Sequence, residues 1–129
     1  NIILNRTLGS GNMITIRNNG STIGSISQNG STITYGGTSD YRLKENVTDM
    51  TNATTRLKQL QPKRFNYISD ESSTLYDGFL AHEVSSIVPE AVVGEKDAED
   101  MQMMDNSKLV PLLVKTIQEL VARVETLEG

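Results

Sequence analysis

The sequence predicts an α+β protein: an intertwined, triple-β-helix-like stem, then a small mixed globular domain, then a long C-terminal helix that forms a coiled coil. Three observations predict it. A ten-residue repeat of Asn-Gly turns and isoleucines fills the region before residue 38, short turn-bounded apolar runs follow from about residue 50, and apolar residues from Val110 to Leu127 are spaced 3, 4, 3, 4, 3. Composition draws the boundary between the first two: residues 1–38 carry two of the 12 basic side chains, Arg6 and Arg17, and none of the 16 acidic ones. The change falls at Gly36-Gly37-Thr38, which gives a stem over 1–38 and a second region over 39–129.

In the stem, Asn19-Gly20-Ser21-Thr22-Ile23 recurs as Asn29-Gly30-Ser31-Thr32-Ile33, with a weaker copy at Gly11-Asn12-Met13-Ile14-Thr15-Ile16. Each unit is a turn signal followed by a short β-branched run, and repetition at a fixed period suggests stacked β structure. One chain cannot bury enough of so few large side chains to offset a backbone entropy of about 1–2 kcal/mol per residue. Three chains wound together can share a thin core of Ile14, Ile16, Ile23, Ile26 and Ile33. The competing reading is a flexible Gly/Ser/Asn linker, against which the regular isoleucines argue. Register is weakly specified in Gly-rich strands, so such a stem needs an element that aligns the chains first.

The second region reads as short elements. Met50–Leu60 carries good helix formers and stops at Pro62; Arg64-Phe65-Asn66-Tyr67 reads as a strand; Asp70-Glu71-Ser72-Ser73 is a loop. Gly78-Phe79-Leu80-Ala81 enters a short helix from His82 to Val88, ended by Pro89, and Ala91-Val92-Val93 is a second strand before an acidic loop from Gly94 to Asp100. Met101, Met103 and Met104 read as core or interface filler. For the last helix, Asp105, Asn106 and Ser107 offer capping oxygens and Pro111 fits only near the first turn. Val110, Leu113, Ile117, Leu120, Val124 and Leu127 then form an a/d seam. The mixture of Val, Ile and Leu leaves dimer and trimer open, and the alternative is an amphipathic helix packed on its own domain.

Composition narrows function. A net charge of −4 argues against a nucleic-acid or anionic-membrane surface, and no apolar run is long enough to span a bilayer. The absence of cysteine excludes disulfides and thiolate chemistry, and a lone histidine makes a zinc site a poor fit, so no metal or cofactor is expected. His82 reads as a satisfied helix histidine, and the run Glu95–Asp100 as a solvated loop. With no Trp, two Phe and four Tyr, a glycan-binding groove is a poor fit as well. The chain opens on Asn1 and is expected to be a piece of a longer product.

The candidate for chemistry is Ser39-Asp40-Tyr41-Arg42-Leu43-Lys44-Glu45-Asn46, directly on the composition boundary. A hydroxyl is the available nucleophile, and its base is then a lysine or a carboxylate; a lysine serves only where its ammonium is desolvated. By spacing alone this is a weak signal, and a solvated lysine in a charged segment is the ordinary reading.

The residue pattern adds to this. Ser39-Asp40-x-Arg42-Leu43-Lys44-x-Asn46-Val47 resembles the opening signature of the intramolecular chaperone of endosialidase family, the S74 self-cleaving peptidases found at the ends of phage tail spikes, tail fibres and neck appendages. Leu60-x-Pro62-x-x-Phe65-x-Tyr67 and Gly78-Phe79-Leu80-Ala81-His82-Glu83-Val84, followed by Pro89-Glu90, resemble its next blocks. Asp105-x-Ser107-Lys108-Leu109-Val110-Pro111-Leu112-Leu113 with Ile117-Gln118-Glu119-Leu120 resembles its closing helix. His82 and Met104 depart from the residues the family more often has, Gln and Tyr.

The resemblance implies Ser39 as nucleophile, Lys44 as general base and cleavage between Thr38 and Ser39, with Asp40, Arg42, Glu45 and Asn46 in unassigned orienting or oxyanion roles. It implies a homotrimer acting on the upstream fibre stem of the same polypeptide, with neither nucleic acid nor membrane as partner. The place of action would be a virion tail or neck appendage assembled in the host cytoplasm. The expectation is therefore a chaperone that aligns three chains, nucleates the stem and cuts itself free; the alternative is a trimerisation clamp that stays attached.

Overall fold

The structure, a computed structural model, describes residues 2–7 and 9–129. It divides into two compact units, residues 1–48 and 49–129.

The first unit is an antiparallel meander of β1 (Gly11–Asn18), β2 (Ser21–Asn29) and β3 (Thr32–Gly37), in that order across the sheet. The repeat produces it directly. Asn19 and Gly20, at φ 48° and 80°, make the two-residue turn between the Asn18↔Ser21 pair, because both central positions need positive φ and these residues tolerate it. Between Asn29 and Thr32 the two-residue turn is Gly30-Ser31, in which Gly30 takes the positive φ, 57°. Pairing runs Ile14↔Ile26 and Ile26↔Tyr35, so strand alternation puts Ile14, Ile16, Ile26, Ile33 and Tyr35 on one face. Ile23 differs from the expected core: the register slips between Ile16↔Gly24 and Arg17↔Thr22, leaving Ile23 at a bulge without a β1 partner. Among the described residues, none of this unit is buried. The strands form an antiparallel meander within one chain rather than the intertwined, triple-β-helix-like arrangement expected, and among the described residues the sheet has no interior of its own.

The second unit holds α1 (Ala53–Leu57), β4 (Lys63–Phe65), β5 (Tyr76–Gly78), α2 (Ala81–Ser85), β6 (Val92–Val93), β7 (Met103–Met104) and α3 (Val110–Glu128). β4 pairs with β5 and β6 with β7, each antiparallel. The class is α+β; α3 has the length expected, while α1 and α2 are shorter than read. The span 50–60 yields helix only over Ala53–Leu57, because Asn52 enters at φ 56°, outside the helical region. α2 stops at Ser85, and Pro89 opens a 3₁₀ turn over Pro89–Ala91, where its fixed φ and missing N–H suit a first position. The strand read over 64–67 ends at Phe65, and Met103–Met104 proves to be a strand edge paired with Val92–Val93.

Ala53, Val84, Val88, Ala91, Leu109 and Leu112 form the core, with Leu57, Phe79 and Met104 among the side chains packed on it. α3 reaches this core through Leu112 and Thr116, both buried, and Glu119 one turn on. Asn52 supplies no side-chain cap to α1. Glu119 supplies it from across the unit: its carboxylate accepts from Ala53 N at 3.0 Å, Thr54 N at 2.8 Å and Thr54 Oγ1 at 2.6 Å. An anion at a helix N-terminus satisfies free N–H groups and meets the positive end of the dipole. The Thr54 hydroxyl, followed by the Thr54 and Ala53 amides, holds the Glu119 carboxyl below its ordinary 4.5. A depressed carboxylate contributes stability above its unfolded-state value and loses it as pH falls through the lower folded value. Glu119→Gln is therefore expected to lower the thermal midpoint by about 5 °C near neutrality. In circular-dichroism melts the gap should close in strong acid, where the wild-type carboxyl is also protonated.

Candidate functional site

The segment after β3 is built by a capped turn. Asp40, at φ −65° and ψ 135°, caps a 3₁₀ turn over Tyr41–Leu43, accepting from Arg42 N through Oδ1 at 2.9 Å. Leu43 N donates to Asp40 O and Lys44 N to Tyr41 O, each at 3.1 Å. The turn brings residue 44 back over residue 39, and Lys44 Nζ lies 2.8 Å from Ser39 Oγ, donating a hydrogen bond to it. Arg42 folds onto its own cap: Nε donates to Asp40 Oδ1 at 2.9 Å and Nη2 to Oδ2 at 2.8 Å. This guanidinium fork, then the Arg42 amide, holds the Asp40 carboxyl below the usual carboxylate range, and Lys44 adds a smaller pull the same way.

The preceding residue is fixed differently. Gly24↔Gly37 is the last paired rung of β2 and β3, and Thr38 N extends the ladder by donating to Ile23 O at 3.2 Å. The Thr38–Ser39 bond comes immediately after the final rung of the sheet. Ser39 and Lys44 are both exposed in the single chain, and Tyr41, Leu43 and Val47 beside them are 81%, 70% and 78% exposed.

Of the sequence-predicted residues, Ser39 pairs with Lys44 and Asp40 with Arg42. Glu45 and Asn46 are exposed and take no part in the Ser39–Lys44 contact; Asn46 turns the backbone at φ 52°. The seam residues lie on one side of α3, and all are exposed: Val110, Leu113, Ile117, Leu120, Val124 and Leu127, from 44% for Leu113 and Leu120 to 86% for Leu127. Val114 and Val121, next to the seam, are also exposed, so the open apolar face is wider than a strict a/d stripe. Sequence reasoning passed over Glu119 as a cap. Its partners lie 65 and 66 residues away, and nothing local to either end signals the bond.

Comparison with known proteins bears on residues 39–93, which match the family described as Chaperone of endosialidase, Peptidase_S74. A curated relative, described as a "Probable tail fiber protein" of Escherichia phage Phieco32, is 34% identical over 95 residues, covering 70% of this chain. The chain spans 13% of that relative's length. The signature at Ser39–Lys44, the β4–β5 and α2 blocks after it, and the likeness to a phage fibre protein agree: residues 39–93 belong to a Peptidase_S74, chaperone-of-endosialidase domain homologous to a phage tail-fibre protein.

Proposed function

We propose that residues 39–129 are a trimerising intramolecular chaperone for the β stem, which releases itself by cutting between Thr38 and Ser39. The observation that carries this is the 2.8 Å contact of Ser39 Oγ with Lys44 Nζ, placed directly after the last rung of the stem sheet. A nucleophile one residue past the bond it cuts acts by an N→O acyl shift. The Ser39 Oγ–carbonyl bond to Thr38 forms, the Thr38–Ser39 C–N bond breaks, and the hydroxyl proton passes through Lys44 to the leaving Ser39 amine. Water then hydrolyses the Thr38 ester, giving a Thr38 carboxylate and a free Ser39 hydroxyl. No cofactor enters.

Lys44 accepts a proton only as the neutral amine, which requires its ammonium to lose water. In one chain it is exposed. The open apolar side chains of Tyr41, Leu43 and Val47 offer a surface for a neighbouring subunit to cover, which would dry the site on assembly. The same logic applies to the stem's isoleucine face and to the α3 seam: each is an interface with no partner in one chain. A coiled coil of three α3 helices would align three meanders whose isoleucines then share an interior. After release, the interwound stem persists because unfolding is slow. The setting is a phage tail fibre or neck appendage assembled in the host cytoplasm, with the released domain absent from the finished particle.

The exposure of Ser39 and Lys44 also favours a second reading, a clamp that trimerises and stays attached. Light scattering and mass spectrometry on the purified chain separate them. Three copies per particle and a break after Thr38 are expected; a folded trimer of intact chains would overturn the cleaving function and leave the clamp.

A further inference from the structure

We propose that Arg42 is a positioning residue for the cleavage, holding the Asp40 carboxylate to itself so that Lys44 keeps Ser39 as its partner. The proposal rests on the reading of Lys44 as general base. Asp40 sits between nucleophile and base in sequence, and its carboxylate caps the turn that carries Lys44 back to Ser39. Left free, a carboxylate there would compete with Ser39 Oγ for the ammonium. It would also stabilise the protonated amine, and an ion-paired lysine cannot take the Ser39 proton. Arg42 prevents this by occupying both oxygens: Oδ1 accepts from its N and Nε, and Oδ2 from its Nη2. The planar fork is what allows one side chain to engage two carboxylate oxygens at once. Around Lys44 the other titratable side chains belong to its own segment, Tyr41 and Glu45. The adjoining sheet carries Arg17, paired opposite Thr22, and Tyr35 as its titratable side chains, and no carboxylate.

Exposed ion pairs contribute little to stability, and the Arg42 and Asp40 side chains are 74% and 40% exposed. Arg42→Ala should therefore leave trimer mass and thermal midpoint nearly unchanged while changing the reaction. The full chain is made by cell-free translation, shifted to a series of pH values, and the fraction cut after Thr38 is followed with time. Arg42→Ala is expected to cut about tenfold more slowly near neutrality. The pH of half-maximal rate should move up by about one unit, as expected when a carboxylate pairs with the base. Adding Asp40→Asn should restore most of the rate, since the amide keeps an oxygen for the Arg42 N–H and has no charge to hold Lys44. Arg42→Lys, which keeps charge without the fork, should fall between.

A merely structural role for Arg42 predicts no rescue by a second substitution. The proposal is overturned if Arg42→Ala cuts at the wild-type rate, or if the double variant is no faster than the single one. A wild-type chain that stays intact, or a Ser39→Ala chain that is cut, overturns instead the reading of Ser39 and Lys44 beneath it.

Discussion

Ser39→Ala is expected to leave every chain at full length, with trimer and thermal midpoint unchanged. The hydroxyl is exposed and its one side-chain partner is Lys44, so its removal opens no cavity. Lys44→Arg is the more informative partner experiment. It keeps the charge and a donor that can reach Ser39 Oγ, but a guanidinium stays protonated at any accessible pH and cannot act as base. General-base catalysis contributes about 10²–10⁴-fold, so cleavage should slow by that order while the particle still assembles. A Lys44→Arg chain cut at the wild-type rate would mean that Lys44 only anchors the segment. Replacing Ser39 by Cys, which keeps a nucleophile in place, should preserve cutting through a thioester.

How much of this is legible in the sequence depends on how local the cause is. The Asn19-Gly20 and Gly30-Ser31 turns were readable because Asn19, Gly20 and Gly30 tolerate the positive φ they adopt, and the sheet follows from them. The long helix α3 and its open apolar side were readable because a 3.5-residue period repeats within one segment. The Ser39–Lys44 pair has a local cause too, the Asp40-capped turn, but Ser and Lys five apart are common, and the family pattern rather than the spacing singled them out. What escaped has a distant cause. Glu119 caps α1 from 65 residues away, Ile23 loses its β1 partner through a bulge set by β1 register, and Met103–Met104 becomes a strand because Val92–Val93 lies beside it. α1 was overread because Asn52, a residue that tolerates positive φ, enters outside the helical region and delays the helix to Ala53.

The second large effect is expected on α3. Its two sides have separate duties. Leu112, 2% exposed, and Thr116 face the chain's own core, while Ile117 and Leu120, 60% and 44% exposed, face away from it. A double substitution of Ile117→Asp and Leu120→Asp therefore spares the domain's interior and places charge only on the open face. In a coiled coil those two positions are adjacent core layers. Each would bring one carboxylate per chain to the axis, and burying unpaired like charges is costly enough to prevent association. Light scattering should show a single chain per particle, with the helix and the 49–129 core retained by circular dichroism. Cleavage should be lost in the same variant although Ser39 and Lys44 are untouched, because a lone chain leaves that pair in water. The reciprocal pair, Glu125→Ala and Glu128→Ala, changes charge on the same helix off the seam and should alter neither assembly nor cutting. If the Ile117→Asp/Leu120→Asp chain is monomeric yet still cut after Thr38, the dyad works without a partner. Assembly would then serve the stem alone, and the burial that Lys44 needs would have to come from within its own chain.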